Sequence, residues 1–358
     1  MKKIQRLILL ALISVIPTII VWLPFFARFK SLWGIPLPAA AGMATIVSNY
    51  DGPIYLVIAK SLYNPDIIGA SFQFPLPLEY YAAHFPLFPV LIKMFSIFIG
   101  FPYAMLFVTI VASVLATYFF FKFIRQYQDE ANSLFLTLVF SIFPARWLIV
   151  KSVGSAEPLF IAGIIASVYF FQNKKYLQAG LWGALAQLAK PPGILLFVSY
   201  LCAIFIPAII NKITVNKNTL KLAEIKKYWP ILFVPLALIF VFSLFGLQFK
   251  NFWAYFNSGD NIHLMFPPFS IFNYSAPWVG TFWLEEVIFV YLLGILGVLK
   301  LIKEKDYIAS WFTGIFILSI LFIAHRDIVR YALPVVPFII KAYSNTLITK
   351  EYQLNPRP

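Results

Sequence analysis

The residues with chemistry to offer lie in short polar segments between long apolar runs. Asp51 stands in Asn49-Tyr50-Asp51-Gly52-Pro53, just ahead of a short apolar stretch that holds Tyr55. Asp followed by Pro is a favoured helix start, so a helix cap is the plain account of it. The same carboxylate beside apolar surface can have its pKa raised toward the working pH, which suits a general base. His84 opens His84-Phe85-Pro86-Leu87-Phe88-Pro89, and Glu157 lies in Ser155-Ala156-Glu157-Pro158-Leu159-Phe160. An interfacial aromatic belt explains the first segment and the helix macrodipole explains the second. Lys190 stands in Ala189-Lys190-Pro191-Pro192-Gly193. It either snorkels to a membrane surface or serves as a cation for a lipid-linked phosphate. His325-Arg326-Asp327-Ile328-Val329-Arg330-Tyr331 carries two arginines. A surface pair of Arg326 with Asp327 accounts for half of that segment. Arg330, at a helix start, is disfavoured by the macrodipole, and its planar fork is a good phosphate ligand.

What must position these residues is a membrane. The 358 residues are 61% hydrophobic and 12% charged, with a mean hydropathy of +0.84; soluble domains carry about 25% charged residues. The apolar blocks are about 17–25 residues long, enough to cross a hydrocarbon core, and backbone in lipid must then be helical. The short alternating segments of a β-barrel are missing. The expectation is an all-α, polytopic transmembrane bundle forming a single domain over residues 1–358. Its roughly ten spans fall at about 5–27, 103–123, 131–149, 157–172, 176–190, 192–210, 229–248, 286–302, 307–323 and 331–348. The first reads as an uncleaved span, because it is longer than a signal-peptide core and Ala39-Ala40-Ala41 lies too far beyond it.

Residues 85–100 decide the topology. Taken as an interfacial helix, with Pro86, Pro89 and Lys93, they put every strongly basic loop on one side. Lys2, Lys3, Arg6, Lys122, Arg125, Lys174, Lys175, Lys212, Lys217, Lys221, Lys226, Lys227, Lys300, Lys303, Lys305, Lys350 and Arg357 are then inside. Segments 28–102 and 150–156, the turn at Lys190, and segments 249–285 and 324–330 are outside, with His84, His263, Asp260 and His325. The net charge of +14 thus reads as the positive-inside rule and not as a nucleic-acid surface. One cysteine, Cys202, excludes an internal disulfide and a cysteine metal cluster. No His-x-x-x-His pair is present, which disfavours a zinc hydrolase, and nothing compels a metal or other cofactor.

Taken in order, these motifs resemble those of the GT-C superfamily of membrane glycosyltransferases. The nearest pattern is that of the GPI mannosyltransferase II type and its bacterial relatives, over about residues 45 to 340. Tyr50-Asp51 stands for the family's Trp-Asp, Lys190-Pro191 for its Arg-Pro turn, and Ala156-Glu157-Pro158-Leu159-Phe160 for its Ser- or Thr-Glu-Ser-Leu-Phe. The resemblance implies a polyprenyl-phosphate sugar donor, a glycan, lipid or protein acceptor, and inverting hexosyl transfer on the non-cytoplasmic face. It implies that Asp51 is the catalytic base. Arg330, Lys190 and Arg326 would then hold the leaving phosphate, and His84, Glu157 and Tyr55 would place sugar or acceptor. The membrane would be the plasma membrane of a prokaryote or the endoplasmic reticulum of a eukaryote. A transporter or lipid flippase is the rival, although the repeats and midplane binding groups usual in transporters are not evident. A scaffold protein is the third reading, in which the outer charges could be replaced without loss.

Overall fold

The computed structural model of the chain describes residues 3–36, 42–72, 77–215, 225–259, 264–273 and 281–348. Lys2, Ala39 to Ala41, Lys217, Lys221, Asp260, His263, Lys350 and Arg357 lie outside the described residues, as does the side chain of Lys212. In chain order the helices are α1 (Lys3–Phe26), α2 (Met43–Val47), α3 (Gly52–Ser61), α4 (Pro65–Ser71), α5 (Leu87–Ile99), α6 (Phe101–Ile124), α7 (Glu130–Ile142), α8 (Ala145–Val150), α9 (Glu157–Gln172), α10 (Tyr176–Ala189), α11 (Ile194–Val215), α12 (Phe233–Phe249), α13 (Thr281–Lys303), α14 (Tyr307–Ile320), α15 (Ile328–Ala332) and α16 (Val336–Leu347). Extended pairing among the described residues is limited to Ser31–Leu32 with Ile35–Pro36 and a bridge between Leu264 and Ile323.

Four stretches are long and apolar enough to cross a membrane: Lys3–Phe26, Phe101–Ile124, Pro191–Ile210 and Trp229–Phe249. α1 makes the physical point most plainly. Its mean hydropathy is 2.6, yet only 17% of that window is buried within the protein. Ile4, Ile8, Ile19, Ile20 and Leu23 are all more than half exposed. At about 25 cal/mol per Å² of apolar surface, such a helix belongs in lipid. Every stretch expected to span contains a helix, but two are broken. The stretch 131–149 divides at Phe143-Pro144 into α7 and α8, and the last one breaks around Pro334 before α16. Proline explains both breaks, since it has no N–H to donate and its ring crowds the preceding turn. Residues 87–99 form α5, as the sequence suggests, ending at Gly100 with φ 75°.

α9 is the buried centre, with Phe160, Ile161, Ile164, Ile165 and Val168 all at 1% exposure or less. It packs on α6 and α10, and Phe120 of α6 stacks on Phe140 of α7 at 4.5 Å. In lipid, helices gain little from apolar burial against one another, so close packing over small residues must hold them. A β-carbon at Gly163 would lie 2.9 Å from that of Ala186, and one at Gly180 would lie 2.1 Å from the Pro230 carbonyl oxygen. Through these contacts α9, α10 and the Trp229–Leu232 turn approach closely. The starts of α3, α9 and α15 and the end of α10 meet at one end of the bundle.

Candidate active site

Asp51 is set by the turn before α3. Tyr50 adopts a left-handed φ of 50°, and a β-carbon at Gly52 would lie 2.3 Å from the Val47 carbonyl oxygen. A non-glycine residue at positive φ is uncommon and marks a conformation that the surrounding structure imposes. Asp51 occupies the cap position of α3, yet its carboxylate caps nothing. Instead Oδ2 accepts a hydrogen bond from Arg330 Nη2 at 2.5 Å.

Arg330 reaches across 279 residues to Asp51 from α15, and its Nε donates to Glu157 Oε1 at 2.6 Å. Glu157 also accepts from Lys190 Nζ at 2.6 Å and from the Ser155 hydroxyl. Its side chain is only 2% exposed, against 15% for Arg330, 26% for Lys190 and 31% for Asp51. The four groups form a chain, Asp51–Arg330–Glu157–Lys190, whose formal charge sums to zero. The expectation that Arg330 sits at a helix start opposed by the dipole does not hold, since it lies in the last turn of α15; two carboxylates compensate its charge.

His84 completes one wall. Its ring meets that of Tyr55 edge-on at 5.1 Å, and its carbonyl accepts from the Tyr63 hydroxyl at 2.5 Å. The imidazole is buried, and Nδ1 has no hydrogen-bond partner among the described residues. Asp51, Tyr55, His84, Glu157, Lys190 and Arg330 all line one cavity of about 310 Å³. The sequence separates these residues by up to 279 positions, and the fold brings six of the seven candidates together.

Arg326 does not join them. It is exposed, and no ion pair or hydrogen bond is made by its side chain among the described residues. Asp327 turns away from it and pairs with Arg146 Nε at 2.9 Å. Arg146 is the residue that sequence reasoning missed. Its Nη1 also donates to the Tyr50 hydroxyl, and the Tyr50 ring faces both guanidinium groups, Arg330 at 5.0 Å and Arg146 at 6.0 Å. The available signal was Pro144-Ala145-Arg146, a helix-breaking proline and a charge inside an apolar stretch.

The electrostatics correct one expectation. Burial alone would raise the Asp51 carboxyl, but Arg330, helped by His84, outweighs it and holds the pKa below the usual aspartate value. His84 is pushed down, chiefly by burial, and is neutral at pH 7. Asp327 is pushed up, again chiefly by burial, against the pull of Arg146.

A larger apolar groove of about 550 Å³ lies on the other side of α15. Val329 and Ala332 face it, whereas Arg330 and Tyr331 face the polar cavity. Arg146 stands in the groove wall, and Phe143 and Phe289 there are exposed to the surroundings of the bundle. One helical turn therefore divides a charged pocket from a mostly apolar groove whose wall also carries Arg146, Glu285 and Glu286. No group of three or more His, Cys, Asp or Glu side chains suited to a metal occurs among the described residues. No protein-family model, no curated protein and no solved structure matches this chain.

Proposed function

We propose that the protein is an integral membrane glycosyltransferase of GT-C type. It moves a hexose, in the manner of a mannosyltransferase, from a polyprenyl-phosphate donor to an acceptor hydroxyl of a glycan, lipid or protein. The reading takes about ten spans with the pocket on the non-cytoplasmic face. The membrane is the plasma membrane of a prokaryote or the endoplasmic reticulum of a eukaryote.

The observation that carries this reading is the placement of Asp51 in a pocket with Arg330 and Lys190, one helical turn from an apolar groove. A lipid-linked sugar phosphate needs those three things together: a base, cations and a mostly apolar groove for the lipid. Asp51 takes the proton from the acceptor hydroxyl as its oxygen attacks the anomeric carbon. The bond from that carbon to the phosphate oxygen breaks, and the electron pair leaves with the lipid phosphate. The configuration inverts in this single displacement. The leaving group is a stable anion, so cations matter more than a general acid. Arg330 and Lys190 supply them, and neutral His84 and Tyr55 position the sugar or acceptor.

The test is transfer from radiolabelled polyprenyl-phosphate mannose to a pool of acceptors by purified protein. Asp51→Asn is expected to express normally and to lose about 10²–10⁴-fold in rate, the usual worth of a general base. Near-normal transfer by that variant removes Asp51 from the chemistry. The groove also favours a second reading, a lipid flippase. Scrambling of lipids by vesicles holding the protein, without sugar transfer, would select it.

A further inference from the structure

A second cavity, of about 380 Å³, lies at the far end of the bundle. α6 begins at the site end, where Met105 leaves no room for a β-carbon at Gly154 and lies 3.3 Å from one placed at Gly52. The helix is 24 residues long, about 36 Å at 1.5 Å per residue, and ends beside this cavity. The first turns of α1, the last turn of α6 and Tyr169 near the end of α9 enclose it. Among the described residues four cations line it, Lys3, Arg6, Lys122 and Arg125, and no carboxylate does.

The compensation for those charges is thin. Arg6 meets Glu130 at 3.5 Å, with the two side chains 33% and 37% exposed, a geometry worth little. Arg125 donates to the Gln128 carbonyl at 2.5 Å, a neutral acceptor. Lys3 and Lys122 form no ion pair among the described residues. Lys3 and Arg6 also stand in the first turn of α1, the positive end of the helix, with no acidic residue there. Like charges converging on a concave wall repel unless an anion sits between them. Below them the wall is apolar, with Leu7 and Leu10, and it runs on to the exposed face of α1 at Ile8 and Leu12.

We infer that this cavity binds the phosphate of an anionic membrane lipid, with the lipid chains lying along the exposed face of α1. The four cations hold the phosphate, and Leu7 and Leu10 adjoin the first methylenes. The site is independent of the sugar-transfer reading, since it shares no residue with the Asp51 pocket.

The experiment uses the full-length protein in lipid nanodiscs and native mass spectrometry, counting retained phosphatidylglycerol against phosphatidylcholine. The wild type is expected to retain phosphatidylglycerol preferentially. In Lys3→Gln/Lys122→Gln, which disturbs no ion pair among the described residues, that preference should fall about thirtyfold, the effect of two cations near a lipid surface. Lys226→Gln/Lys227→Gln, a basic pair outside the cavity, should leave it unchanged. An unaltered preference in the cavity variant, or an equal loss in the control, overturns the proposal. Millimolar glycerol 3-phosphate distinguishes the source of the phosphate. Failure to displace the lipid supports a lipid site, and displacement overturns the lipid assignment in favour of a soluble phosphate ester.

Discussion

Glu157→Gln is the substitution whose consequence follows most directly from the geometry. Glu157 holds Arg330 and Lys190, each at 2.6 Å, and is 2% exposed. Glutamine keeps the shape and one accepting oxygen, so no cavity opens. What is lost is charge. Both bonds keep their cationic donors and stay charge-assisted, so the cost comes from leaving two cations short of a counter-charge. The site also moves from neutral to +1. Lys190 is 26% exposed and can turn to water, so the total should be about 2–3 kcal/mol, below the 3–5 found when a fully buried charge is orphaned.

The assay is unfolding in mixed micelles, followed by circular dichroism and titrated with denaturing detergent. Glu157→Gln is compared with Lys190→Met and with the double variant. The double variant restores a neutral site, because Asp51 and Arg330 then balance. It should therefore recover about 1 kcal/mol relative to the sum of the singles. Glu130→Gln, which removes the exposed partner of Arg6, is the control and should cost under about 1 kcal/mol. Additivity of the Glu157 and Lys190 effects to within about 0.5 kcal/mol would refute the electrostatic account.

Two further substitutions probe the scaffold. Gly180→Ala should destabilise by about 1–3 kcal/mol, because the new β-carbon meets backbone at Pro230, where no side chain can yield; a neutral result in the same unfolding titration would mean that α10 is free to shift. Lys341→Met removes a 3% exposed ammonium that pairs with Glu304 at 2.8 Å and Asp306 at 3.1 Å over the Tyr127 ring. It should cost about 3 kcal/mol, and Lys341→Met/Glu304→Gln should recover part of that; equal stability of wild type and Lys341→Met would show that the network is idle.

The sequence was informative where a charge interrupts an apolar run. Asp51, Glu157, Lys190 and Arg330 each stand at such a break, and helix starts or ends fix all four. Their convergence could not be read, because it depends on how α3, α9, α10 and α15 pack across as many as 279 residues. Arg146 was hidden inside a stretch counted as one helix, and only the break at Pro144 turns it toward Tyr50 and Asp327. Arg326 failed for the opposite reason. It is four residues before Arg330 and would share its face in a continuous helix, but α15 begins only at Ile328. The pKa of Asp51 was misjudged because apolar neighbours are visible in sequence and a guanidinium from a distant helix is not.

If the proposed transfer holds, Arg330 couples the base to the phosphate, and that coupling has a kinetic signature. At rest its guanidinium holds Asp51 below the ordinary carboxylate pKa and so makes it a weak base. Under the transfer reading, an arriving donor phosphate would compete for the same guanidinium. Whatever share of Arg330 it takes is withdrawn from Asp51, whose pKa then rises as the base is needed. Under the transfer reading, the acid limb of kcat/KM reports the free enzyme and should fall below about pH 3.9, the ordinary aspartate value. The acid limb of kcat reports the donor-bound enzyme and should lie at higher pH. Stability follows the same sign. The Asp51 contribution is present above about pH 3.9 and is lost as pH falls through the depressed folded value. His84, also depressed, costs stability as pH drops below about 6.5, because the unfolded chain takes that proton first. Coincident limbs for kcat and kcat/KM would show that donor phosphate leaves the Arg330–Asp51 pair intact, and Arg330 would then be a structural brace for the turn at Asp51.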